Sequence, residues 1–138
     1  MGCGASTLEA QNNATLKTRT EILKSGEGSV VAASGNYVTV HATGMLATSG
    51  KQFWCTKDSG QQPFSYTAGV GAVIHGWDQG CLGMRIGEVR ILHIPPAEAY
   101  GRKGFPAWEI PPDAPLRFQL ECLSIQDNPP AAEIAAGL

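Results

Sequence analysis

The chain has 138 residues, 43% of them hydrophobic and 16% charged, with a formal net charge of −2. That balance supplies one core of ordinary domain size and excludes a disordered chain. No segment clusters Lys and Arg, so the electrostatic footprint of a nucleic-acid binder is missing, and no run approaches the roughly 18 apolar residues of a membrane-spanning helix.

Residues 1–16, opening MGCGASTLEAQNNA, read as a flexible leader without the basic stretch and apolar run of a secretory signal. Cys3, Cys55, Cys81 and Cys122 make no CxxC pair and no zinc spacing, so a reduced, intracellular chain is expected. Order begins at Lys17 with KTRTEILK, and Ser25–Ser29 is a turn cluster. From Asn36 the run NYVTVHATGML sets Tyr37, Thr39 and His41 on one face and Val38, Val40 and Ala42 on the other, which predicts a strand. KQFWC resumes an apolar segment, Asp58-Ser59-Gly60 is a turn, and Phe64–Thr67 is a further strand.

Ile74, Trp77 and Cys81 recur at helical spacing, which predicts a short helix within Val73–Met84, weakened by Gly76 and Gly80. Glu88–Ile94 alternates again until Pro95-Pro96 stops it. The loop Ala97–Ala114 holds Tyr100, Phe105, Trp108 and Ile110; so many apolar side chains in a loop mean that it folds over a groove or plugs the end of a sheet. Leu116–Ile125 is the last strand, with Leu116, Phe118, Leu120 and Cys122 facing one way, and residues 126–138 read as a flexible tail. Four or five strands and a single helix predict an α+β roll, a bent antiparallel sheet wrapped on one short helix.

His41, His75 and His93 lie far apart with no ligand spacing, and there is no GxSxG, GxGxxG or GK[ST] motif. No metal, nucleotide or other cofactor is expected. What remains is aromatic and aliphatic: Phe53, Trp54, Phe64, Tyr66, Val73, Ile74, Trp77, Tyr100, Phe105, Trp108, Ile110 and Phe118. Singly, each reads as core; grouped about a concave face, they suit an apolar ligand or a proline ring.

The runs VTVHATGML, KQF, PFSYTAGVGAVIHGWDQG, MRIGE, IPPAEAYG and IPPDAPLRFQLE, in this order from Lys17 to Ile125, resemble the FKBP-type peptidyl-prolyl cis–trans isomerase family. The resemblance implies a five- to six-stranded antiparallel sheet curled around one short helix, over residues 17–125. It implies a monomeric isomerase of X–Pro bonds in proteins, working without cofactor in an apolar pocket. Trp77 becomes the pocket floor, and Phe53, Phe64 and Phe118 its walls. Val73 and Ile74 form the rim, with the Ile74 N–H donating to a substrate carbonyl. Tyr100 supplies a hydroxyl, Phe105 stands where histidine is frequent, Ile110 keeps an apolar loop contact, and Trp108 sits beside a one-residue shift. Ala42 replaces a pocket tyrosine and Trp54 a pocket aspartate, which implies reduced activity and weak binding of macrolide immunosuppressants. The same pocket could serve a proline-motif binding module with little turnover, or be vestigial in a docking scaffold.

The leader carries a separate signal. Met1-Gly2-Cys3-Gly4-Ala5-Ser6 fits the pattern for myristoylation of Gly2, and Cys3 is placed for palmitoylation. The expectation is a cytoplasmic protein anchored to the cytosolic face of a membrane by two acyl chains.

Overall fold

The computed structural model describes residues 16–127. Most of the leader and of the tail therefore lies outside the described residues, as do Gly2 and Cys3. Among the described residues there are six strands and one α-helix: β1 (Arg19–Lys24), β2 (Tyr37–Leu46), β3 (Gln52–Cys55), β4 (Phe64–Thr67), α1 (His75–Gly80), β5 (Val89–Ile94) and β6 (Leu116–Gln126). All pairings are antiparallel, in the order β1-β5-β6-β2-β3, with β4 also on β2. β4 pairs with Tyr37–Val40 and β3 with Thr43–Met45, so the two short strands share one edge of the long β2.

Period-two alternation sets the core. Val38, Val40 and Ala42 of β2, Leu92 and Ile94 of β5, and Leu116, Phe118, Leu120 and Cys122 of β6 are all buried. Each large apolar side chain so placed contributes about 1.5–3 kcal/mol. Their common face is covered by α1 through Trp77 and Cys81, both buried. Burial pushes the thiols of Cys81 and Cys122 up to about 11, so both stay protonated and pack as small apolar groups.

The helix is shorter than the Val73–Met84 window suggested. Ile74 is extended at ψ 150 and Gly83 turns the chain at φ +89, which leaves six helical residues. Such a helix is too short to stand on its own propensity, and its two glycines cost about 1 kcal/mol each. Both are needed for approach: a Cβ on Gly80 would touch Leu92 at 3.0 Å, and one on Gly76 would collide with Thr18 and Ile94. Polar side chains fasten the ends. Asp78 is buried and accepts the N–H groups of Gly69 at 2.8 Å and Gly71 at 3.0 Å. Arg90, paired with buried Glu88 at 2.7 Å, donates to the carbonyls of Gly80 and Leu82 at the helix exit. The Arg90 contacts satisfy carbonyls that a helix end leaves without partners.

Candidate active site

α1, β3, β6 and the loop after β5 enclose a cavity of about 430 Å³, lined by Trp54, Phe64, Ala72, Val73, Ile74, Trp77, Tyr100, Trp108 and Phe118. Trp77 lies at its base, 4% exposed, with its indole N–H donating to the Tyr66 hydroxyl at 3.0 Å. The ring of Phe118 is 5.1 Å from Trp77 and that of Phe64 is 5.5 Å away. Burial holds the Tyr66 hydroxyl well above its ordinary pKa, so it remains a neutral partner behind the floor.

The side wall is aromatic because of a strand irregularity. Gly44 of β2 pairs with Trp54 but Met45 pairs with Gln52, which leaves Phe53 as an extra residue. A bulge of this kind bends the strand and breaks strict alternation. Consecutive residues Phe53 and Trp54 therefore both pack on the cavity side. Phe53 meets Phe118 edge-on at 5.7 Å, while Trp54 meets Phe64 edge-on at 5.7 Å and lies 6.0 Å from Trp77. Gly44 makes room, since a Cβ there would fall 2.7–2.8 Å from the rings of Phe118 and Phe53.

The loop after β5 folds over the groove, the first of its two expected arrangements. It is pinned by reciprocal backbone hydrogen bonds between Phe105 and Ile110 at 2.8 and 3.1 Å. Trp108 stacks on Trp54 at 5.9 Å and on Phe53 at 5.8 Å. Phe105 stacks on Tyr100 at 5.1 Å and meets Trp108 edge-on at 5.3 Å. Trp108 and Phe105 are more than a third exposed and form the outer rim. Tyr100 is half-buried, and desolvation raises its pKa, which keeps its hydroxyl a proton donor.

Eight residues singled out in the sequence meet at the cavity surface: Trp54, Phe64, Val73, Ile74, Trp77, Tyr100, Trp108 and Phe118. Phe53 and Phe105 stand behind Trp108 as its ring partners. Ile110 is 2% exposed and anchors the loop rather than lining the cavity. Ala42 is also buried away from the lining, its N–H donating to the Thr56 hydroxyl at 2.9 Å. Ala72 lines the cavity and was not anticipated; a lone small residue beside Gly71 carries no periodic signal. The lining includes no charged side chain, and Asp58 lies in the exposed turn after β3. No group of His, Cys, Asp and Glu among the described residues could hold a metal ion.

A curled antiparallel sheet with one short helix and an aromatic cavity between them defines the class of protein, and the comparisons agree. Residues 28–123 match the FKBP-type peptidyl-prolyl cis-trans isomerase family. The chain is 48% identical over 108 residues to the peptidyl-prolyl cis-trans isomerase FKBP12 of Arabidopsis thaliana, covering 77% of this chain and 96% of that protein. It is 44% identical over 113 residues to FK506-binding protein 1 of Debaryomyces hansenii, covering 82% and 98%. Over 97 residues it is 44% identical to the peptidyl-prolyl cis-trans isomerase FPR2 of Saccharomyces cerevisiae, covering 70% of each. The chain belongs to the FKBP-type peptidyl-prolyl cis-trans isomerase family.

Proposed function

We propose that this chain catalyses cis–trans isomerisation of X–Pro bonds in proteins and does so in the aromatic cavity above Trp77. The carrying observation is the cavity itself: about 430 Å³, aromatic on floor and walls, with one hydroxyl at its rim and no charged lining. Rotation about a peptide bond is opposed by about 18–20 kcal/mol because resonance gives C–N double-bond character. The twisted transition state has lost that resonance, and its amide is less polar than the planar one. An apolar enclosure that strips water from the amide favours the twisted form over the planar form. X–Pro bonds suit this chemistry because their two isomers differ by only about 0.5–1 kcal/mol.

In this reading Trp77 and Phe118 set the floor and the wall that receive the proline ring, with Phe64, Val73, Trp54 and Trp108 closing the sides and Phe53 backing the wall through Phe118 and Trp108. The Ile74 N–H and the Tyr100 hydroxyl hold substrate carbonyls, while Phe105 and Ile110 shape the loop and Ala42 packs in the core behind the wall. The test is to titrate an X–Pro peptide into isotope-labelled protein. Resonances of Ile74, Tyr100 and the indoles of Trp54, Trp77 and Trp108 should move. Shifts confined to another surface would contradict the assignment.

The substrates are proline-containing peptides or proteins, and the domain acts as a monomer spanning residues 17–125. Macrolides of the FK506 type bind weakly, since Ala42 offers no phenolic hydroxyl and Trp54 no carboxylate. Acylation of Gly2 and Cys3 places the protein on the cytosolic face of a membrane. The support is the N-terminal pattern, together with the physics of anchoring: one myristoyl chain gives a binding constant of only about 10⁴ M⁻¹, so a second signal is required. The leader has no polybasic patch, and palmitate on Cys3 supplies that signal. In eukaryotic cells the wild-type chain should pellet with membranes, and Gly2→Ala should stay soluble. Equal partitioning of the two, with a free amine on Gly2, would overturn the anchoring.

A further inference from the structure

Glu98 does not line the cavity, yet its carboxylate gathers distant parts of the molecule. It is 6% exposed, and it ends the 3-10 turn Pro96–Glu98, two residues before Tyr100. One carboxylate oxygen accepts the Lys17 N–H at 2.6 Å; the other accepts the Thr18 N–H at 2.8 Å and the Thr18 hydroxyl at 2.7 Å. These donors come from a segment 80 and 81 residues away in sequence, just before β1. A buried carboxylate taking several charge-assisted hydrogen bonds is a strong and directional tie. Thr18 also abuts the helix: its hydroxyl oxygen occupies the space where a Cβ on Gly76 would go, two residues after Ile74. Thr18 thus stands between the first turn of α1 and the turn that leads to Tyr100.

We infer that Glu98 and Thr18 are positioning residues of the isomerase, setting the Tyr100 hydroxyl and the Ile74 N–H relative to each other across the cavity. The inference rests on the cavity assignment above. Two hydrogen-bond donors that hold the carbonyls of one substrate work only if their separation is fixed, and each sits on a segment with little rigidity of its own: the start of a six-residue helix and a loop. The clamp supplies a common reference for both.

The test uses the full chain and an X–Pro peptide followed by NMR exchange, at a temperature where every variant shows a native far-UV spectrum. The proteins are wild type, Glu98→Gln, Thr18→Val and the double variant. Each single change should lower kcat about fivefold with KM within about twofold of wild type, because the apolar cavity that binds the ground state is intact. The double variant should be no worse than the poorer single one, since both break the same clamp. Variants that melt earlier but keep wild-type kcat where folded would overturn the inference, as would losses confined to KM or losses that multiply. Thr18→Val removes one hydroxyl and keeps the side-chain shape, so it decides the matter even if Glu98→Gln fails to fold. An inactive wild-type chain would instead sink the isomerase reading itself.

Discussion

Trp77 has two tasks, since its ring fills the space under the cavity and its N–H occupies the Tyr66 hydroxyl. Trp77→Leu leaves part of the ring's volume empty and that hydroxyl without its donor. Truncating large core aromatics costs about 3–5 kcal/mol, and this milder change should cost about 2–3 kcal/mol, read as a lower midpoint in urea unfolding. An unchanged midpoint would show that the ring is not packed as described. Ala42 and Trp54 are coupled by their placement. The Thr56 N–H donates to the Ala42 carbonyl and Gly44 pairs with Trp54, so Ala42 and Trp54 are diagonal neighbours on adjacent strands. Ala42→Tyr alone should overpack the core by about 1–3 kcal/mol. Combined with Trp54→Asp, which removes the bulky indole, it should be tolerated and should tighten FK506 binding by roughly tenfold or more, one to two hydrogen bonds' worth. Calorimetry showing low-nanomolar binding to the wild type would contradict this.

At the scale of elements, the segment leading into β1 and the loop after β5 are joined through Glu98, which makes that joint sensitive to acid. Burial raises the Glu98 pKa, but the Thr18 hydroxyl, the Lys17 and Thr18 N–H groups and the nearby His75 outweigh it, and the net direction is downward. The folded chain therefore releases this proton more readily than the unfolded chain. The contribution to stability is fully present above the ordinary glutamate value, about 4.3, and is lost as pH falls through the lower folded value. Glu98→Gln should thus be less stable than wild type at neutral pH, and the gap should narrow as pH drops below about 4. A gap that is constant with pH would show that the ionised carboxylate is not what holds the joint. None of this joint was legible in the sequence, because its partners are 80 residues apart and no local pattern links them. The strand faces were legible, since alternation is a local signal: the faces assigned to Val38, Val40 and Ala42, and to Leu116 through Cys122, are the buried ones. The ends of α1 and the Phe53 bulge were not. Glycine punctuation, Asp78 and Arg90 define the helix, and the bulge exists only relative to the pairing strand.

For the whole molecule, every strand and the helix among the described residues fall between Arg19 and Gln126. Removing residues 128–138 should leave the denaturation midpoint and its cooperativity within about 0.5 kcal/mol of the full chain. A broad or strongly lowered transition would mean that the tail contributes to the core. The cavity residues, by contrast, come from β3, β4, α1, β6 and two loops, and only the complete sheet brings them together. Their identity was readable because the aromatic runs resemble those of a known family, while the stacking of Trp108 on Trp54 needed the fold.

The central claim is catalysis within that cavity, and the most direct measurement is the cis–trans exchange rate of an X–Pro peptide with catalytic amounts of the chain. Wild type should accelerate exchange well beyond the uncatalysed process, whose time constant is tens to hundreds of seconds. Tyr100→Phe, which keeps the ring and removes the hydroxyl, should lower kcat/KM by up to about tenfold, the worth of one hydrogen bond. A peptide that binds at the cavity while its exchange stays at the uncatalysed rate would contradict the account and leave a proline-binding module in place of an isomerase.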